Sequence, residues 1–282
     1  MNETLVAFSP VTKDLIEIVK KTAVTNSPVL FYGERGSGRK TFANFSYQVG
    51  NRTDKSFFYF DCKRAGEYDL EKVFISNGTV FFDSVEFLDK NDQKILLEAI
   101  KTKVDVKILV STSLDLNNLV QKGEFLEELF FRLNVFPVRI PPLRTRTEDI
   151  VPIAEFFIHK YSALYVKNIS GLSDASKVLL ESYSWPGNLN ELDCVIERAV
   201  LLSEEGLIPA DNLFLKTVND SVSDCVHPED KTLKNAVNTF KRNYLIKILE
   251  ECGWNQTKAG TVLGIQRTYV SRLMNELHIR EK

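Results

Sequence analysis

Apolar residues along the chain follow two patterns. Between residues 28 and 113 they gather in short, nearly continuous runs, as in Val29–Tyr32, Phe57–Phe60, Thr79–Phe82 and Val106–Val110, each about the length of a buried strand. Near the C-terminal end they instead recur every three or four positions. Leu233, Ala236, Val237, Phe240, Tyr244, Leu245, Ile248 and Leu249 trace one face of a long amphipathic helix, which Cys252-Gly253 ends. Asn255 then caps a short helix, Gln256 to Leu263, that turns Ala259, Val262 and Leu263 to a core. Gly264 supplies a left-handed turn, and after Ile265 a third helix places Val270, Leu273, Met274 and Leu277 on one face. The other face of that helix offers Gln266, Arg267, Thr268, Tyr269, Ser271 and Arg272. A stripe of this chemistry opposite an apolar seam suits the major groove of double-stranded DNA.

Composition narrows the class. At 282 residues, with 44% hydrophobic, the chain is long enough for two domains with proper cores. No run approaches the roughly 18 apolar residues of a membrane span, and MNETLVAFSPVTKDL is not a leader, so a soluble, cytoplasmic protein without a membrane partner is expected. Cys62, Cys194, Cys225 and Cys252 lack paired spacing, which argues against a zinc site or a disulfide framework. His159, His227 and His278 are isolated and receive no role. The net charge of −2 conceals an asymmetry: residues 231–282 carry ten Lys/Arg against four acids, a net +6, leaving −8 for the remainder. A basic unit on an acidic body fits a protein that meets phosphate only through its tail.

In the body, PVLFYGERGSGRKTF (28–42) reads as strand, Gly-rich turn and helix start, the setting of a phosphate-binding loop. Gly33, Gly36 and Gly38 free backbone N–H groups to face an anion at the helix N-terminus. A later strand, NGTVFFDS, ends in Asp83, where a Walker-B aspartate would hold Mg²⁺. Phe57, Phe58, Phe60, Phe81, Phe82, Phe130 and Phe131 fall on strand and helix patterns and are expected in the core.

Three further segments follow in order: DVKILVSTSLDLNNL, GEFLEELFFRLNVFPVRIPPLRTRTEDI and SYSWPGNLNELDCVIERAVLL. With the phosphate loop and Asp83, this succession resembles the AAA+ domain of bacterial enhancer-binding proteins (NtrC-like), the activators of sigma-54 RNA polymerase. NQTKAGTVLGIQRTYVSRLMNELHI resembles their Fis-type helix-turn-helix. The resemblance implies an α/β fold: a parallel-sheet AAA+ P-loop core over 1–166, a helical lid over 167–216, a polar linker over 217–231 and an all-α DNA-binding domain over 232–282. It implies self-association, with leading helices that dimerise on two DNA half-sites through Thr257 and the recognition-helix residues. A receiver domain is expected to be absent, since the AAA+ pattern begins almost at Met1.

Measured against that family, the chemistry is depleted. The loop lysine aligns with Arg39, a planar guanidinium in place of a compact ammonium; Lys40-Thr41 could serve only through a one-residue slip. The acid after Asp83 is Ser84, the sensor residue is Ser113, the first arginine finger is Leu126 and the lid arginine is Asn190. Arg132 remains. Glu86 is acidic, but its spacing does not put it in place of the missing acid. The GAFTGA loop, which in the family contacts the sigma factor, is missing between Phe57 and Asp83. Arg144 and Arg146 are open to two readings, contact with a nucleotide or neighbouring subunit, and an ion pair at the core–lid junction.

The expectation is a DNA-binding transcriptional regulator whose AAA+ domain does not hydrolyse ATP and serves assembly or nucleotide sensing. Gly33, Gly36, Ser37, Gly38, Arg39, Lys40, Thr41, Asp83 and Arg132 would hold ATP or ADP, with Mg²⁺ on Asp83, a cofactor the regulator would not require. RNA polymerase and a paralogous AAA+ regulator are the further partners to consider. The alternatives are a hydrolysing sigma-54-type activator and an interaction protein that co-assembles with an active paralogue.

Overall fold

The computed structural model describes residues 5–67, 70, 74, 78–102, 105–215, 245, 246, 248, 249, 252–263, 265, 267–276 and 279. Linker 217–231 with Cys225, most of the long helix expected from Leu233, and Gly264, Gln266 and Leu277 lie outside them, as does the side chain of Tyr269. The chain divides into two compact units, Met1–Thr217 and Val218–Lys282.

The first unit is built on five parallel strands: β1 (Val29–Tyr32), β2 (Phe57–Asp61), β3 (Thr79–Asp83), β4 (Lys107–Thr112) and β5 (Phe136–Arg139), in the order β2-β3-β4-β1-β5. Parallel strands need crossovers, and helices on both faces supply them. Before β1 comes α1 (Pro10–Ala23), and after it α2 (Arg39–Gln48). Between β3 and β4 lies α3 (Lys90–Lys101); α4 (Leu116–Gln121) and α5 (Glu127–Leu133) precede β5. Alternate residues of each strand feed opposite cores. Val29, Phe31, Phe81 and Leu109 pack with Leu15, Val19 and Phe42 on one side, while Leu30, Val80, Phe82, Ile108 and Val110 pack with Leu96, Leu129 and Leu133 on the other. Each such buried side chain contributes roughly 1.5–3 kcal/mol. Ser9 caps α1 with Pro10 behind it, and Asp89 caps α3, so the helix starts follow local sequence.

Two of the phenylalanines expected in the core are not there. Phe58 points to the open face of β2, an edge strand, and Phe131 is 63% exposed on the outer side of α5. The run of apolar residues is longer than the surface each element buries.

A second core begins earlier than residue 166. Helix α6 (Ile150–Tyr165) packs through Ile150, Ile153, Ala154 and Ile158 with β6 (Ile169–Leu172), α7 (Asp174–Ser182), α8 (Asn188–Leu202) and β7 (Gly206–Ile208), a group that also takes in Leu143 and Trp185. By packing, α6 therefore belongs with the helical lid.

In the second unit, α9 (Gln256–Leu263) and α10 (Arg267–Glu276) close on Leu245, Ile248 and Leu249 through Ala259 and Val270. The side-chain oxygen of Asn255 accepts from Thr257 N–H and Lys258 N–H at 3.0 and 3.2 Å, which caps α9 as its sequence predicts. Val262 is 63% exposed, contrary to expectation. Gly260 is buried against the turn, so the inward arc of α9 is centred on Ala259 and Gly260; at about 100° per residue Val262 falls on its flank.

Candidate functional site: a phosphate loop under a lid clamp

Strand β1 runs into the loop Gly33–Gly38, and Gly33 N–H donates to Thr112 O at the end of β4. Gly36 and Gly38 have φ of +74° and +101°, where a side chain is strained. Space excludes one as well: a Cβ on Gly36 would sit 2.4 Å from Gly187 O, and one on Gly33 would sit 2.5 Å from Ile140 O. Helix α2 starts at Arg39, which removes the slipped alignment. Arg39 is the first helical residue, Thr41 follows in the same turn, and Lys40 is exposed with its Nζ 4.3 Å above the Tyr59 ring.

Several polar atoms here are buried without a partner among the described residues: Ser37 Oγ, Arg39 Nη1 and Arg146 Nε. Burial lowers the pKa of Arg39, an effect that the charges of Asp83 and then Glu86 oppose. Unpaired donors around a helix N-terminus are a donor set that fits a polyphosphate.

Asp83 ends β3 with both oxygens engaged. Ser111 Oγ donates to Oδ1 and Tyr59 OH donates to Oδ2 at 2.9 Å. Burial first, then the Asp83 charge, pushes the Tyr59 phenol up, so it stays a neutral donor. Ser84 is buried in the left-handed region at φ +63°, and its N–H donates to Ser111 Oγ at 3.0 Å. A hydroxyl therefore stands where the family has a carboxylate. Glu86 comes closer than its spacing predicts: its Oε1 accepts from Ser113 Oγ at 2.8 Å and Ser113 N–H at 3.1 Å, and its Oε2 is buried without a partner. The same acidic surroundings, after burial, push the Cys62 thiol up.

The lid grips this loop. Arg144 forms a two-pronged ion pair with Glu34, whose carboxyl that hydrogen bonding holds down at about 2. Asn188, buried at φ +53°, donates to Glu34 Oε2 and Arg35 O and accepts from Leu143 N–H at 2.7 Å. Leu189 N–H donates to Gly36 O at 2.9 Å, and Asn190 abuts Gly36. Arg146 is buried and donates through Nη2 to Ser37 O at 2.6 Å. Beneath it, Asp149 accepts from Phe8 N–H, Ser9 N–H, Ser9 Oγ and Thr12 Oγ1, which fixes the start of α1. Of the two readings of Arg144, the junction ion pair is the one formed; Arg146 holds the loop backbone.

Arg132 is on the exposed side of α5, 3.9 Å from Glu128, and Leu126 caps that helix with its N–H on Gln93 Oε1. The loop donors and these two positions are not brought together by any described contact. An open groove of about 1140 Å³ is lined by Gly33, Glu34, Ser113, Arg139 and Arg144, without Ser37–Thr41 or Asp83, so this groove and the phosphate chemistry do not coincide.

In the second unit Thr257, Arg267, Thr268 and Arg272 are exposed and Ser271 is half-buried, which leaves one polar face across α9 and the first turns of α10. Tight approach of the helices is set by Gly260, where a Cβ would meet Ile265 O at 2.8 Å.

Comparison with known families matches the Sigma-54 interaction domain to residues 6–143, an AAA+ ATPase lid domain to 144–227 and the Fis-family bacterial regulatory protein to 237–277. The chain is homologous to the NtrC-like enhancer-binding regulators. Relatives of that kind include the Nif-specific regulatory protein of Klebsiella pneumoniae, 30% identical over 303 residues, covering 93% of this chain and 56% of that protein. The transcriptional regulatory protein ZraR of Klebsiella oxytoca is 29% identical, covering 93% and 66%. Among solved structures, NtrX of Brucella abortus in complex with ADP superposes at a TM-score of 0.68 with 25% identity, covering 98% of this chain and 69% of that one. The chain thus spans little more than half the length of the Nif regulators it matches.

Of the residues read from the sequence, Gly33, Gly36, Ser37, Gly38, Arg39 and Asp83 lie around one loop and strand end, whereas Glu34, Tyr59, Ser111 and Asn188 were not among them. Register carried a signal for two of these. Phe82 pairs with Val110, so Ser111 comes level with Asp83, and Tyr59 lies on the strand beside β3.

Proposed function

We propose that the protein is a sequence-specific DNA-binding transcriptional regulator whose AAA+ domain binds a nucleotide without turning it over. The polar face of α9 and α10 supports the first half: Arg267 and Thr268 are exposed in the first turn of the second helix, where side chains reach base edges. For the second half, the observation that weighs most is Ser84, a buried hydroxyl at the position of the water-polarising acid, beside an Asp83 whose oxygens are already engaged. A hydroxyl does not accept a proton from water near neutral pH. The loop's unpartnered donors, and the ADP carried by NtrX of Brucella abortus, favour retained binding. On this reading the domain serves self-association or nucleotide sensing; RNA polymerase and a paralogous AAA+ regulator are candidate partners. Enrichment of genomic fragments by the purified chain at moderate salt tests the DNA half, and a flat, unselective recovery would sink it.

One observation favours a second reading, a hydrolysing activator. Glu86 brings a carboxylate to Ser113, so an acid exists near the strand ends even though Ser84 is not one. Steady-state ATP turnover decides: no release above background is expected, while turnover that disappears in Asp83→Ala and Glu86→Gln would replace the first reading with the second.

A further inference from the structure

Four successive residues of the phosphate loop each accept a hydrogen bond from the lid side. Glu34 accepts from Arg144 and Asn188, Arg35 O from Asn188 Nδ2 at 3.1 Å, Gly36 O from Leu189 N–H at 2.9 Å, and Ser37 O from Arg146 Nη2 at 2.6 Å. Peptide geometry sets the consequence. In a planar trans peptide the C=O and the following N–H point opposite ways, so the three held carbonyls turn the N–H groups of Gly36, Ser37 and Gly38 away from the lid. Ser37 N–H closes a turn on Glu34 O at 3.2 Å, while those of Gly36 and Gly38 have no partner among the described residues, at φ of +74° and +101°. Such N–H groups are what an anion meets. Asn188 stands at the centre of this contact. It is fully buried at a φ of +53°, which asparagine tolerates; its amide donates to Glu34 and Arg35 O, and its oxygen accepts from Leu143 N–H.

We propose that Asn188 is a positioning residue through which the lid shapes the phosphate loop, so that docking of the lid and filling of the loop by a phosphate-bearing ligand form one equilibrium. The lid acts on the back of the loop and needs no side chain on the ligand. A ligand that orders the Gly36 and Gly38 N–H groups from the front favours the carbonyl directions that the lid holds from behind, so each event lowers the ordering cost of the other. That cost is large at glycine, which loses more backbone freedom on ordering than any other residue. The approach is also close, since a Cβ on Gly36 would stand 2.4 Å from Gly187 O. The Arg144–Glu34 pair is exposed and adds little, which leaves the buried amide to carry the coupling. The latch itself needs no nucleotide, whereas its ligand half rests on the loop being a nucleotide site.

Amide hydrogen exchange on the whole chain, free of ligand, tests the latch with Asn188→Asp, which keeps the acceptor for Leu143 N–H and replaces the donor to Glu34 and Arg35 O by an oxygen. Exchange in residues 33–42 and 186–192 should quicken together, by about tenfold or more, while α6 keeps its wild-type rate. Asn188→Gly, which suits the same φ and buries no charge, should do the same. A lid turn that loosens over an unchanged loop overturns the proposal. Loosening that spreads equally into α6 does so too, since Asn188 would then serve the lid's own fold. ADP supplies the second arm. In wild type it should slow exchange in both segments, and in Asn188→Asp in the loop alone, with affinity lowered about tenfold. Protection confined to the loop in wild type, or equal in both segments of the variant, overturns the coupling and leaves the nucleotide site standing. No binding of ADP brings down the nucleotide reading and the ligand half of the proposal, and the ligand-free comparison then decides the latch alone.

Discussion

Glu34 and Lys107 show how single side chains tie the loop and sheet to conditions outside the protein. Hydrogen bonding from Arg144 holds the Glu34 carboxyl at about 2, below its ordinary 4.5. A depressed carboxyl contributes stability that is complete above about pH 4.5 and is lost as pH falls towards 2. Glu34→Gln should therefore melt below wild type at neutral pH, with the gap closing across that window; because the pair is 43% and 44% exposed, the difference stays under about 1 kcal/mol. Parallel melting curves from pH 6 to about 2 would contradict it. Lys107 behaves oppositely. Its buried Nζ donates to Thr22 O, Thr25 O and Ser27 O, and burial, aided by Arg52, lowers it to about 8. Between pH 8 and 10.5 the unfolded chain holds more protons, so wild-type stability rises there relative to Lys107→Met. At pH 7 that variant leaves the carbonyls of Thr25 and Ser27 without this donor and should lose about 1–3 kcal/mol in urea titration. Neither residue stands out in the sequence. The three glycines of the loop were legible because a motif fixes their spacing, whereas Glu34 acquires its meaning only from a lid residue 110 positions away.

Elements were more legible than contacts, and the reason is period. Strands buried on both faces leave continuous apolar runs, and α9 and α10 leave helical spacing and a cap at Asn255, all local signals. What failed was which face each element buries: Phe58, Phe131 and Val262 are apolar and exposed because neighbours distant in sequence cover other surfaces. The assignment of α6 failed likewise, since its partners Ile169, Leu192 and Ile208 all come later in the chain. Gly260 offers a test at this scale. Ala in a helix is worth up to about 1 kcal/mol over Gly, so open space would make Gly260→Ala stabilising. The added Cβ would instead sit 2.8 Å from Ile265 O and 3.4 Å from Arg267 N, both backbone atoms that cannot swing aside. Overpacking of this kind costs about 1–3 kcal/mol, so the sign should be negative. Amide hydrogen exchange in α9 and α10 would report it as faster opening; slower exchange would show that the helices part without strain.

For the whole molecule the charge distribution matters more than the net charge of −2. Residues 231–282 carry +6 and the rest −8, so on the proposed function DNA would be drawn to one end of the chain and repelled by the remainder. The consequence is a binding isotherm governed by salt, with each neutralised phosphate contributing about −0.9 to the slope of log K against log salt. Arg267 and Arg272 should separate under that measurement. Arg267 opens α10, where a recognition helix meets base edges; Arg272 lies about a turn and a half further along, where the groove wall and its phosphates come within reach. Arg267→Ala is expected to lose about 1–3 kcal/mol on the selected sequence and little on random DNA, with the salt slope nearly unchanged. Arg272→Ala should weaken both sequences alike and flatten the slope by about 1. If the two variants exchange these signatures, α10 enters the groove with the opposite end leading; if both merely flatten the slope, the polar face makes no base contact. Binding of random DNA that persists equally at low and high salt would mean that the basic end is not where phosphate is met.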